Sequence, residues 1–401
     1  MLKTPTAPLT NTQQAPISTL DPYTDEALLN PWPLYRELRE MRPVVWLEKY
    51  GMFALTGYDV VVKALRDWEA FRSSFGVMMN DDMNQLLRGN TLCSDGDAHS
   101  RLRRVVIRPV TPAALKSLKE EVEREAETIV DQLCARRQFC ATTELATYLP
   151  VTIVSSAIGL PEEGRERMME WSIGMFNCFG PLNERARNAM PILSEMMHYA
   201  RTHAVPGKLK PGSWAEAIHD AAAAGEVPAE AVPVMMIDYM GPSLDTTILA
   251  ISSGVWLFAN HPDQWDLVRD EPSLIPGAIN EILRIEAPIQ GFSRYVARDY
   301  DLDGVRLPAG SRAIVFYGAA NRDPRQFPDP DRFDVRRDNA GRHMAFGAGP
   351  HMCLGMNLAK LEIRALFTAL ARKVKRIRID EEERMLNNVL RGFRKLIVTV
   401  E

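Results

Sequence analysis

The sequence predicts a mainly helical protein with a smaller β-rich part, and three observations carry that expectation. Residues 112–225 are almost entirely helical in pattern, broken at Gly159-Leu-Pro, Gly180-Pro-Leu and Pro206-Gly, where glycine and proline end helices. Residues 231–259 form the longest apolar tract and read as a buried helix. Strand-like runs are short: 44–47 and 52–56, an alternating stretch at 287–298, and hairpins at 301–315 and 388–400.

At 401 residues, 46% hydrophobic and 25% charged, the chain is long enough for a large core and ordinary for a globular protein. A net charge of −4 supplies no basic field, which argues against nucleic acid as a partner. The five cysteines (Cys93, Cys134, Cys140, Cys178, Cys353) are odd in number and scattered, which points to a reducing compartment and away from a disulfide frame or a zinc site. Residues 1–21, rich in Pro, Thr and Gln, lack the apolar centre of a leader peptide. Asp238 and Asp245 interrupt the tract at 231–259, and each acid would cost roughly 2.5–3.5 kcal/mol at mid-bilayer. A cytoplasmic protein without a membrane anchor is expected, with residues 1–20 as a flexible tail and 21–401 as one domain.

In chain order, Asn30-Pro-Trp-Pro opens a first helix, two short strands follow around Lys49-Tyr-Gly, and residues 59–65 resume helical spacing. The stretch at 71–82 lacks periodicity but carries Phe75, Met78 and Met79, so it packs on the core or covers a pocket. At 95–104 a helix starts with His99 and Arg103 four residues apart, on one face, able to grip a single anion. Phe176 and Phe179 end a helix three apart. Gly241-Pro242 breaks the apolar tract, because proline removes an i→i−4 bond and clashes with the preceding turn. Just beyond it, Asp245 and Thr246 place an acid beside an alcohol where an unpaired acid is costly. Glu281 and Arg284 sit three apart on a helix, and Arg332 is positioned to complete a buried Glu–Arg–Arg network.

The densest chemistry lies in Phe346-Gly-Ala-Gly-Pro-His-Met-Cys-Leu-Gly355, which precedes a helical run at 356–373. A thiolate at a helix N-terminus is favoured by free N–H groups and the macrodipole. The glycines let the backbone turn sharply and approach something large and flat. An anionic sulfur so placed suits axial ligation of haem iron. A lone cysteine in a turn would be structural, but here the whole pattern F-G-x-G-x-H-x-C-x-G is present. It resembles the cysteine-ligand loop of the cytochrome P450 superfamily. The threonine helix, Glu-x-x-Arg and His-x-x-x-Arg extend that resemblance, in the right order, over residues 21–401.

The resemblance implies a P450 fold binding heme b (iron protoporphyrin IX) through Cys353. His99, Arg103 and Arg294 would hold the propionates, with His351, Phe346 and Gly347 lining the haem loop. Asp245 would supply protons and Thr246 would hold the bound oxygen and its water. Phe75, Met78, Met79, Phe176, Phe179, Ile237, Asp238, Gly241, Pro242, Ile289 and Phe292 would form the substrate pocket. The family usually has a small residue and Gly where this chain has Pro242-Ser243, and the glycine is displaced to Gly241. Electrons would come from NAD(P)H through a separate ferredoxin and ferredoxin reductase, docking on Arg101, Arg104, Arg342, Lys360 and Arg364. The protein is expected to be a monomer.

Several stretches, such as Phe176-Asn-Cys-Phe-Gly-Pro-Leu-Asn-Glu, look most like bacterial P450s that oxidise para-substituted benzoates. Those enzymes clamp the carboxylate with arginine and serines. Here Phe75 stands where an arginine is expected, and Ile237-Asp238 replaces an arginine–serine pair. The expected substrate is therefore a small flat aromatic with a neutral or hydrogen-bond-donating end, oxidised with O2 at a para methoxy or alkyl group. The alternatives are a haem-thiolate sensor and a peroxide-driven peroxygenase.

Overall fold

In the computed structural model, which describes residues 14–401, the helices that frame the interior follow the apolar periodicity of the sequence. They are α1 (Gly96–Val106), α2 (Lys116–Arg136), α3 (Met168–Phe179), α4 (Glu184–Thr202), α5 (Val232–Met240), α6 (Asp245–Asn260), α7 (Ile275–Ile285) and α8 (Met356–Lys373). One continuous core runs from Val77 on the N-terminal side through α2, α3, α5, α6, α7 and α8. Trp171, Phe176, Phe258 and Phe367 are among its fully buried large side chains. None of the described helices is long and apolar enough to cross a membrane.

The apolar tract at 231–259 folds as two helices. Gly241 accepts the end of α5, and the chain turns through Pro242-Ser243-Leu244 before α6 starts at Asp245. Proline has no N–H to continue the ladder, so the break falls where the sequence puts it. Likewise the region 112–225 is interrupted by a strand, Gln138–Cys140, which pairs with the C-terminal strand.

Among the described residues the strands form three separate sheets of six, three and two strands. The main sheet has the order β1 (Ile17–Ser18), β2 (Val44–Leu47), β3 (Met52–Leu55), Arg312–Phe316, Gly291–Val296 and Phe71–Arg72. Residues 1–13 of the expected tail lie outside the described residues. Ile17–Ser18 pairs in parallel with Trp46 and Leu47, so the ordered chain begins earlier than residue 21. The expected hairpin at 301–315 is tighter than anticipated. Tyr300–Leu302 pairs with Val305–Leu307 across Asp303-Gly304, both left-handed, while Arg312–Phe316 joins the main sheet. The closing hairpin pairs Ile377–Arg384 with Phe393–Val400, leaving 388–392 as a loop against Ile289.

Candidate active site

A cavity of about 220 Å³ opens between the cysteine loop, the α5–α6 break and the end of α3. Cys353 lies in its wall and is accessible from it. The loop is shaped by backbone bonds: Gly347 N–H donates to the Met344 carbonyl and Cys353 N–H to the Phe346 carbonyl, both at 2.8 Å. Gly349 is left-handed, and a Cβ there would come within 2.4 Å of the Leu65 carbonyl oxygen, so only glycine fits. Depth in the protein pushes the Cys353 thiol up, while the N–H groups of Gly355 and Met356 and the Arg103 guanidinium pull the other way.

A buried ion network holds this loop from behind. Arg284 makes two bonds to Glu281, at 2.7 and 2.8 Å, with neither side chain exposed. Its guanidinium also donates to the carbonyls of Asn321 (2.9 Å) and Pro330 (2.7 Å). Asn321 Oδ1 in turn accepts the Met344 N–H at 2.6 Å. The third member is Arg337, whose Nε donates to Glu281 at 3.0 Å. Arg332 is not part of the network. Its side chain is 66% exposed, and only its carbonyl accepts from Arg284 and Arg337. Both arginines follow Pro328-Asp-Pro within one irregular run, where spacing has no period to say which points inward.

Arg103, Arg294, His351, Phe346 and Gly347 line the cavity. His99 is buried beside it, its ring 4.2 Å from that of His351, and its Nε2 has no partner. Burial, His351 and Arg103 together lower the His99 pKa to about 4. Asp95 orients His351 at 3.2 Å and accepts from Ser74 N–H at 2.8 Å. A haem fits this set. The sulfur is accessible on an apolar wall, the buried His99 nitrogen is an orphan donor, and two arginines at the wall suit carboxylates.

The substrate residues divide. Phe176, Phe179, Ile237, Asp238, Pro242, Ile289 and Phe292 line the cavity. Phe176 and Phe292 are nearly parallel, 10° apart with centroids 6.5 Å distant, and Phe179 lies 5.5 and 5.4 Å from them, so the three rings form one packed aromatic wall of the cavity. Four do not reach the cavity wall. Phe75 is 54% exposed and stacks on Tyr295, 4.3 Å away. Met78 fills the main core and Met79 a second core against Tyr35 and Phe316. Gly241 faces Met175, and its carbonyl accepts the Ser172 hydroxyl. Aromatic and methionine side chains in an aperiodic loop do not announce their direction. Met79 N–H still ties the loop to the Phe179 carbonyl at 3.1 Å.

Thr246 lines the cavity, and its hydroxyl donates to the Pro242 carbonyl at 3.1 Å, one turn back. Asp245 is 1% exposed and off the cavity wall, and burial pushes its carboxyl up to about 7 while the nearby Ser172 hydroxyl pulls the other way. Two groups escaped the sequence reading. Glu362, wholly buried on α8, lines the cavity with both oxygens unpartnered and is pushed up to about 8 by burial. Asn90 and Thr91 border Asp238. An acid inside the apolar run of α8 was a visible signal for the first; nothing marked the second.

The arrangement defines a haem-thiolate oxygenase. A cytochrome P450 family model matches residues 220–391. The chain is 35% identical over 382 residues to cytochrome P450 CYP199A2 of Rhodopseudomonas palustris, covering 94% of this chain and 92% of that one. It is 31% identical over 355 residues to 6-deoxyerythronolide B hydroxylase of Saccharopolyspora erythraea, covering 83% and 87%. Among solved structures, P450BioI in complex with hexadec-9Z-enoic acid ligated acyl carrier protein matches with a TM-score of 0.84 at 26% identity, over 94% of this chain and 100% of that one. This chain belongs to the cytochrome P450 family and is a haem-dependent monooxygenase.

Proposed function

We propose that this enzyme oxidises small, flat aromatic compounds at a para methoxy or alkyl group, with electrons from NAD(P)H through a separate ferredoxin and its reductase. The observation that carries the substrate class is the packed aromatic wall of Phe176, Phe179 and Phe292, which lines the cavity together with Ile237 and Ile289. A flat ring laid against that wall buries apolar area and makes aromatic contacts.

Cys353 would hold the haem iron as thiolate, and His99, Arg103 and Arg294 would hold its propionates. The bound haem supplies activation of O2, one oxygen entering a C–H bond and the other leaving as water. Asp245 passes protons toward the cavity, and the Thr246 hydroxyl receives them at Oγ1 once it releases the Pro242 carbonyl. The phenylalanines exclude bulk water and fix the ring. Hydroxylation of a methoxy carbon gives a hemiacetal that collapses to a phenol and formaldehyde, so O-demethylation and alkyl hydroxylation are one reaction. Arg101, Arg104, Arg342 and Arg364 are exposed and offer a cationic face to an acidic ferredoxin, with Lys360 half-buried over the Phe346 ring at 5.5 Å.

The test is turnover of 4-methoxyphenol and 4-ethylphenol with NADH, ferredoxin and reductase, read as formaldehyde or hydroxylated product. Equal turnover with hydrogen peroxide alone would make it a peroxygenase. Haem loading without any turnover would favour a sensor.

A further inference from the structure

Among the described residues two acids line the cavity, Asp238 and Glu362, and Asp238 is the one oriented by a backbone N–H. Its Oδ2 accepts the Thr91 N–H at 3.1 Å. The Thr91 hydroxyl and the Arg103 guanidinium also favour its charged form, although among the described residues no cation reaches ion-pair distance. It retains 9% exposure although it is walled in by Ile237, Tyr239, Asn90 and Thr91, so its free surface faces the cavity. A structural aspartate buried this deeply would be saturated by donors, as Glu281 is. The Thr91 N–H fixes the orientation of the carboxyl, whose remaining surface in the cavity lining is open to a donor arriving there.

We infer that Asp238 is the specificity residue for the polar end of the substrate: it accepts a hydrogen bond from a ring-borne donor, a phenol hydroxyl or a benzylic ammonium, and rejects a ring carboxylate. This rests on the small-aromatic reading above and deepens it. A donor paired with a buried carboxylate gains a charge-assisted bond, whereas a second carboxylate beside it adds repulsion and two desolvation penalties. A ring without a polar end gains only the apolar contacts. Discrimination of about tenfold or more is expected, since a site built around one polar group distinguishes partners through what it leaves unpaired.

The experiment measures spin-state difference spectra of the haem-loaded enzyme with 4-methoxyphenol, 4-methoxybenzylamine, 4-methylanisole and 4-methoxybenzoate. The wild type should bind the first two at least about tenfold tighter than 4-methylanisole, and 4-methoxybenzoate weakest. Asp238→Ser should erase the donor preference, leave 4-methylanisole within about twofold, and improve the benzoate. Asp238→Asn keeps the shape and the oxygen but removes the charge, so it should lose the ammonium preference more than the phenol preference. The carbon-monoxide difference spectrum verifies that each variant is folded and loaded. Wild-type binding of 4-methylanisole as tight as the donors, or an unchanged preference in Asp238→Ser, overturns the role of Asp238 alone. Failure of all four rings to perturb the spectrum overturns the small-aromatic reading with it.

Discussion

Two sets of buried carboxyls in this molecule are built on opposite terms. Behind the cysteine loop, Glu281 is bonded by Arg284 and Arg337, and it also accepts the Asp334 N–H at 3.1 Å. Glu286 lies among Arg391 (2.9 Å), Arg384 (2.8 Å) and Arg322 (3.8 Å). Burial acts to raise Glu286, yet those guanidiniums hold it down to about 2. Around the cavity, by contrast, Asp238, Asp245 and Glu362 form no ion pair among the described residues, and burial pushes them up to about 7, 7 and 8, with only Asp238 feeling an opposing pull from Arg103. Saturated charges fix the scaffold; acids left short of partners can gain or release a proton, or accept a ligand. The difference separates what holds the sulfur from what serves the chemistry.

The contrast can be broken in several ways, and the largest effect is at the sulfur itself. Cys353→Ser should abolish NADH-supported turnover and the thiolate signature of the reduced carbon-monoxide spectrum. Next comes the saturated set. Arg337→Met strands part of the Glu281 charge and should cost about 3–5 kcal/mol in urea unfolding, with loss of haem loading. Arg332→Ala should stay within about 0.5 kcal/mol, because its guanidinium is a surface group. Equal losses in the two variants would remove Arg337 from the network.

On the cavity side, Thr246→Ala and Asp245→Asn should each slow product formation by about a hundredfold while leaving substrate binding spectra unchanged. Oxygen consumed without product would mark the lost proton supply. The smallest effects are those of pH. Glu286, lowered in the fold, stabilises above its unfolded value near 4.5, and that stability is lost as pH falls toward 2. Glu362 has the opposite sign. Its folded pKa of about 8 lies above the ordinary 4.5, so the native state holds a proton that the unfolded chain releases between those values. Its contribution is therefore most favourable below pH 4.5 and declines as pH rises to 8. In thermal unfolding from pH 5 to 8, Glu362→Gln should flatten the decline; an unaltered slope would assign it to another group.

Much of the scaffold was legible because it depends on local rules. The helix at 356–373, the break at Gly241-Pro242 and the glycine-bent loop at Cys353 all follow from periodicity, proline and left-handed φ. The shared helix face of His99 and Arg103 was legible too, from spacing alone, and it lies at the cavity beside His351. Residues in aperiodic segments were not. Phe75 turns outward onto Tyr295, Met78 and Met79 fill cores, and Arg337 instead of Arg332 turns inward.

By itself the sequence determined the class of this protein: a cysteine in a glycine-bent loop at a helix start, a broken apolar helix across the cavity from it, and a mainly helical frame. Those features are written in spacing and residue type, which fix backbone conformation over a few residues. Only the tertiary structure decided which buried acids were given cations and which were left to the cavity. That choice depends on where segments far apart in the chain come together, such as Thr91 against Asp238 and Asn321 against Met344. No local pattern encodes such meetings, because a carboxyl's partners are set by packing and not by its neighbours along the chain.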